Sequence, residues 1–340
     1  MGVLITLIIT IIMIHILVLA HEWGHYRAAR RAGIPVLEFS IGLGWRLLAL
    51  RRRETVYSLR IIPLGGYVLL DLALSDQSLD HYTPKKKIMV ALGGPLINLG
   101  LALLIFIGIY SVSGIPCYST QPVIGRAINE MPAGKAGIQA GDEIISVNGH
   151  RVEKWTDITR AVSQVTPGSP CSVLVQRNDR MLSFHLTTGR DESSDRTVIG
   201  VEPQLFYQRQ NIAKAIAIGF QQTLQTGMAI VSSLAGLVTG SVAAGNMVGP
   251  IGLTGIVGAS LVYGWREVLG LAAFLSINLG IFNLLPIPFL DGGRILLAAI
   301  EAGRRRAFDP EKEACLHWLG LAFLMVLMLY ASYNDIVRLL

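Results

Sequence analysis

The chain alternates between long apolar stretches that carry no charge and polar segments with shorter periodicities. Residues 2–20 contain no charged side chain. As a helix rising about 1.5 Å per residue, this stretch matches a hydrocarbon core about 30 Å thick. Residues 88–110, 268–290 and 316–332 repeat the pattern, the last slightly short. Residues 54–70 differ: Thr55, Tyr57, Leu59 and Ile61 alternate with Val56, Ser58, Arg60 and Ile62, and Pro63, Gly65 and Gly66 follow. That pattern predicts a strand, a turn and a second short strand, together a β-hairpin. Residues 117–203 mix short apolar runs with turn signals. Within INEMPAGKAGIQAGDEIISVNGHRV (128–152) lie a helix-sized stretch, a Gly141-Asp142 turn, the IISV run and an Asn148-Gly149 hairpin signal, which predict a small β-rich domain. Residues 215–265 are uncharged but rich in Gly, Ser, Thr and Gln. Zero or two membrane crossings fit there, and the polar content favours zero, with helices lying at the interface or dipping in.

Composition turns these stretches into a class. Of 340 residues, 52% are hydrophobic and 15% charged, which excludes an ordinary soluble globular chain. The first segment has no basic leader and no small-x-small cleavage site, and is expected to be a retained span rather than a signal peptide. Residues 26–87 carry eleven Lys and Arg against five acids, whereas 111–214 carry eleven against ten. The positive-inside rule puts the former in the cytoplasm and the latter outside. Arg304, Arg305 and Arg306 place the end of the third span inside as well. The net charge of +6 then reflects topology and lipid headgroups; no nucleic-acid module is present.

Candidate chemistry sits where the first span ends, in ILVLAHEWGHYRAAR (16–30). His21 and His25 are one helical turn apart on one face, so both imidazoles can reach a single metal ion. Glu22 is placed beside them to handle the proton of an attacking water. Three ionisable groups in five residues beside hydrocarbon are costly without partners or a function. A zinc hydrolase needs a third protein ligand, and Asp291 in NLLPIPFLDGG (283–293) is the candidate. Pro286 and Pro288 prevent regular helix before it. A plainer reading makes Asp291 the N-cap of a helix starting near Gly292. The topology favours the ligand, because residues 21–25 and 291 both fall at cytoplasmic ends of inward-running spans.

HEWGH (21–25), IIPLGGYV (61–68), GGPLIN (93–98), GPIG (249–252) and NLLPIPFLDGG together resemble the ordered signature of the site-2 protease family of intramembrane zinc metalloproteases. Within it, the chain is similar to the bacterial regulator-of-sigma-E protease group. The resemblance implies a polytopic α-helical membrane protein of four core transmembrane helices, with a cytoplasmic-side membrane β-hairpin and an extracytoplasmic PDZ domain. It divides the chain into a membrane part at 1–110, a PDZ domain at 117–203 and a second membrane part at 211–340. It further implies Zn2+ held by His21, His25 and Asp291, Glu22 as acid/base, and Asn283 near bound substrate. The partners it implies are the lipid bilayer and a membrane-anchored protein with a transmembrane helix, such as an anti-sigma factor or a signal-peptide remnant. The location it implies is the bacterial inner membrane. The chain departs from many relatives in having one PDZ-sized insert rather than two in tandem.

A transmembrane helix must be unwound before a carbonyl can react. The hairpin, through Tyr57, Leu59, Ile61, Gly65 and Gly66, is a candidate to hold the extended segment as an added strand. The alternative is a cytoplasmic hairpin that packs on helix ends. GGPLIN reads as a packing element, with Asn98 hydrogen-bonding inward. Ser276 and Asn278 are expected to face the helix bundle, and His15, about 240° around the helix from His21, to be structural. Cys117 and Cys171 allow a disulfide if their atoms meet. Two other function classes remain: a metal transporter, which needs ligands along a path and an internal repeat, neither found here; and a scaffold with a structural zinc, which needs a fourth protein ligand.

Overall fold

A computed structural model describes residues 2–70, 83–191, 196–209, 211–242, 245, 247–306 and 308–339. In chain order the elements are α1 (Val3–Ala32), β1 (Val36–Arg52), β2 (Thr55–Leu70), α2 (Pro84–Ser113), β3 (Ile115–Tyr118), β4 (Ile124–Ala127), α3 (Pro132–Lys135), β5 (Glu143–Val147), β6 (His150–Arg151), α4 (Trp155–Ser163), β7 (Pro170–Arg177), β8 (Arg180–Thr187), β9 (Gly189–Asp191), β10 (Arg196–Val198), β11 (Val201–Pro203), β12 (Leu205–Gln208), α5 (Ile212–Thr239), α6 (Pro250–Tyr263), α7 (Trp265–Asn283), α8 (Asp291–Arg304) and α9 (Pro310–Leu339). They form two compact units, Met1–Ser111 with Asn211–Leu340, and Val112–Gln210.

In the first unit, four of the described helices are long and apolar enough to cross a membrane: α1, α2, α7 and most of α9. α1 ends at Gly33, whose left-handed φ of 70° lets its N–H reach back to the carbonyls of Ala29 and Arg30. The third span differs from expectation. α7 starts at Trp265 and stops at Asn283, and residues 284–290 leave the helix, because Pro286 and Pro288 deny it two backbone donors. The fourth is longer than expected, since the polar ends of α9 continue the helix on both sides of its apolar centre. Small residues let the helices approach. Ala102, Phe106, Ile230, Ala273 and Ile277 form one core, and Met13, Val257 and Ala272 another.

The hairpin also differs. Residues 54–70 do not fold back on themselves alone; β2 pairs with β1, a 17-residue strand within the basic segment 26–87. The first half of β1 is flanked on both sides by β2: Phe39 faces both Val68 and Tyr57, and Ile41 faces both Gly66 and Leu59. Gly42 and Gly44, at φ of 87° and 84°, let β1 change direction, and its second half then pairs with 55–60. Buried Glu38 holds the layers together, accepting from Ser58 Oγ (2.5 Å), Arg60 (2.9 Å) and Arg46 (3.0 Å).

The second unit is β-rich. Its largest sheet has the order β6-β5-β7-β8, and α4 packs Ile158 and Val162 against Ile144, Val147, Val173 and Val175. Asn148 and Gly149 turn β5 into β6 with φ of 51° and 80°, as the Asn-Gly signal predicts. The helix-sized stretch condenses to one turn, α3, with Pro132 at its start. Asp142, fully buried, accepts from Arg177 Nε at 2.6 Å and Nη2 at 2.7 Å. The three cysteines are free thiols. Cys171 points into the sheet core, whereas the Cys117 thiol reaches Gln208, so this pair forms no disulfide.

Candidate metal centre

Three elements of the first unit converge on one buried point. α1 presents His21 and His25 on its buried face, each 7% exposed, and α8 begins with Asp291, 6% exposed. Asp291 Oδ2 lies 3.1 Å from His21 Nε2 and 3.2 Å from His25 Nε2, and the two Nε2 atoms are 3.1 Å apart. Tetrahedral zinc with donors at about 2.0–2.1 Å sets neighbouring donor atoms about 3.3 Å apart, so this triangle has the size the ion requires. The chemistry of the donors fits as well. His25 Nδ1 lies 2.8 Å from the Val90 carbonyl, which can only accept; Nδ1 therefore carries a proton, and Nε2 is the ring nitrogen left to serve a metal. Two imidazole Nε2 atoms and a carboxylate oxygen turned to one buried point are a donor set that a divalent cation would satisfy. Among the described residues this is the one group of three or more His, Cys, Asp and Glu side chains that could hold a metal, and it contains three donors, not four.

The chain between α7 and α8 positions Asp291. Leu290, not Asp291, is the N-cap of α8, and it makes no side-chain cap; Asp291 is thereby free to point at the histidines. The N-cap reading does not hold. A Cβ at Gly292 would strike the Leu284 and Leu285 carbonyls, and one at Gly293 the Ile287 carbonyl, so both glycines are needed for the tight return. Phe289 sits at φ 86°, a conformation bulky residues seldom adopt. It is held there because its N–H donates to His317 Nδ1 at 3.0 Å, on α9. The backbone of α9 at Gly320 also lies directly against the Pro288 carbonyl.

α2 closes the opposite side. A Cβ at Gly94 would stand 2.5 Å from His25 Nε2 and 2.7 Å from His21 Nε2, and Gly24 and Gly93 bring α1 and α2 into backbone contact beside it. Four residues on, fully buried Asn98 places Nδ2 3.3 Å from His21 Nδ1. Gly94 and Asn98, which the sequence pattern reads as packing, are features of the site, and so is the Val90 carbonyl, on which the sequence carries no signal. The available signal was the i, i+4 spacing of Gly94 and Asn98, which puts both on one face of α2.

Glu22 follows His21 and runs beside the sheet, its Cγ 3.5 Å from where a Gly66 side chain would begin. The remaining candidates separate. Residues 66–70 pair on one side with β1 and, among the described residues, have no strand on the other. Tyr57 and Leu59 each have strand neighbours on both sides, so they cannot offer a free edge. Tyr57 instead shares a 2.7 Å hydrogen bond with Tyr26. Ile61 is exposed near the sheet's turn. Asn283, the last residue of α7, donates to the Leu279 carbonyl at 2.9 Å, within its own helix.

The model of peptidase family M50 matches residues 9–327. Regulator of sigma-W protease RasP of Bacillus subtilis is 30% identical, over 98% of this chain and 99% of that one. Zinc metalloprotease RasP of Geobacillus kaustophilus is 31% identical, over 96% and 97%. A putative zinc metalloprotease of Clostridium acetobutylicum is 30% identical, over 97% of each. Among solved structures, the PDZ domain of an SdrC-like protein from Listeria monocytogenes aligns with 26% of this chain and 90% of its own, at 13% identity and a TM-score of 0.23.

Proposed function

The chain belongs to peptidase family M50, the site-2 protease family of zinc metalloproteases, and on that premise we propose that it cleaves a membrane-anchored protein in or near its transmembrane segment. It is a multi-pass membrane protein and a zinc metalloprotease. In this reading His21, His25 and Asp291 hold the zinc and Glu22 is the acid/base. The observation that carries it is the three-donor triangle. A structural site closes with four protein ligands, whereas three leave a position for chemistry.

Zinc, when bound, supplies a Lewis acid that polarises the scissile carbonyl and acidifies water. Glu22 takes a proton from the attacking water as its oxygen bonds to the carbonyl carbon. It then delivers that proton to the amine as the C–N bond breaks. The helices around the site exclude bulk water, and the Val90 carbonyl fixes the His25 tautomer. Residues 66–70 supply the edge on which an unwound substrate segment pairs as an added strand, and the closeness of Gly66 to Glu22 supports this.

The printed name of the Bacillus subtilis relative, regulator of sigma-W protease, supports a membrane-anchored regulator of a sigma factor as substrate. The charge bias of the loops supports an inner-membrane location with the Val112–Gln210 unit outside. That unit serves as a PDZ domain that screens substrates already trimmed there. Substituting Glu22→Gln tests the assignment. The variant is expected to keep stoichiometric zinc and substrate binding and to lose cleavage of a transmembrane substrate in detergent. Full turnover would eliminate Glu22 as the acid/base.

A further inference from the structure

Each histidine of the triangle uses Nε2 toward the shared point, so each needs its second ring nitrogen protonated to be a ligand. For His25 the Val90 carbonyl ensures this. His21 has a different neighbour. Its Nδ1 faces Nδ2 of Asn98 at 3.3 Å, while Asn98 Oδ1 is buried and has no partner among the described residues. A donating Nδ2 suits only the tautomer of His21 whose proton is on Nε2, and that tautomer cannot ligate. Once Nε2 ligates, the proton moves to Nδ1 and two N–H groups would face each other. A half-turn of the carboxamide about its last bond removes the conflict, since its oxygen and nitrogen are nearly the same size and only their hydrogen-bonding roles differ.

We infer that Asn98 is the positioning residue for His21: with zinc bound, its Oδ1 accepts the Nδ1 proton and locks the ring in the ligating tautomer. This rests on the metal-ligand reading given above. The Asn98 backbone is itself braced, because Ser276 Oγ on α7 donates to its carbonyl at 2.8 Å. Gly280, one turn further along α7, leaves room for the Asn98 Cβ. The chain Ser276–Asn98–His21 therefore ties three helices to one ligand. Oδ1, otherwise an unpaired polar atom in a membrane interior, acquires its partner when the metal arrives.

The discriminating pair is Asn98→Asp and Asn98→Ala, measured for zinc affinity in detergent by competition with a chelator. Aspartate can accept but not donate, whereas alanine does neither. Asn98→Ala is expected to weaken zinc binding about 10–100-fold, the range typical for loss of a partner to a ligating histidine. Asn98→Asp is expected to stay within about threefold of the parent, because carboxylate partners serve the same role elsewhere. If both variants bind zinc as the parent does, or if Asn98→Asp falls as far as Asn98→Ala, the inference is overturned. Should Asn98→Ala not fold, Asn98→Asp alone decides: retained affinity supports the assignment and lost affinity ends it. The ligand reading is tested separately with Asp291→Ala. Unchanged zinc binding by that variant sinks the metal centre itself, whatever the Asn98 variants do.

Discussion

Gly94→Ala places the smallest possible side chain at the centre of the site. The added methyl carbon would lie 2.5 Å from His25 Nε2, 2.6 Å from His21 Cε1 and 2.7 Å from His21 Nε2, against comfortable contacts of about 3.5 Å. Each contact is short by most of an ångström. The rings cannot swing aside freely, because Nδ1 of His25 is tied to Val90 and Nδ1 of His21 faces Asn98. Withdrawal of α2 would open the close backbone contact it makes with α1 at Gly93 and Gly24 and forfeit that packing. Overpacking of this kind costs typically about 1–3 kcal/mol, which at about 1.4 kcal/mol per decade predicts zinc binding weaker by about 5–150-fold. Cleavage should fall with zinc occupancy. The assay is chelator competition on purified protein, with Gly100→Ala as control: that glycine, on the same helix, has nothing within 4 Å of its missing Cβ. The control should match the parent. A Gly94→Ala protein with parental zinc affinity would refute the claim that α2 leaves this space for the ion.

Other predictions concern residues away from the triangle. Asp335→Ala removes a buried carboxylate that accepts from Gly249 N at 3.1 Å and Gly252 N at 2.7 Å; it should destabilise the first unit by about 1–3 kcal/mol, read as a lower melting temperature. His317→Ala should lower zinc affinity without touching a ligand, since it frees Phe289 from its left-handed conformation; parental affinity would show that Leu290 and Asp291 need no such brace. The second unit should lose stability in acid. Burial alone would push the Asp142 carboxyl up, but the Arg177 guanidinium and the Gln139 N–H hold it below the usual range. A carboxyl depressed on folding contributes stability that is fully present above its unfolded value, about 3.9, and is lost as pH falls through the folded one. Thermal melts of the Val112–Gln210 unit at pH 6 and pH 3 should therefore differ, and Arg177→Gln should shrink the difference.

What the sequence made legible was whatever depends on local period. His21 and His25 share a helix face by spacing alone, the long uncharged runs announce α1, α2 and α9, and Asn148-Gly149 announces its turn. Asp291 was legible because two prolines and two glycines flank a single carboxylate. Three features were not legible, each for a non-local reason. β1 carries Arg, Leu and two left-handed glycines in no clean alternation, and it is a strand because β2 flanks half of it on both sides. The inner position of Tyr57 and Leu59 follows from that same pairing rather than from their own segment. The roles of Gly94 and Asn98 depend on α2 crossing α1 at Gly24 and Gly93, a contact no spacing within either helix reveals.

The brace between the 284–290 segment and α9 bears on how inactive alleles should distribute along this chain. Lesions at Gly320 or His317 lie outside the motifs that announce the chemistry, yet they act on the bend that delivers Asp291. A genetic screen for lost proteolysis would thus recover a cluster in the last helix, and those alleles should be restored by excess zinc in the medium where Glu22 alleles are not.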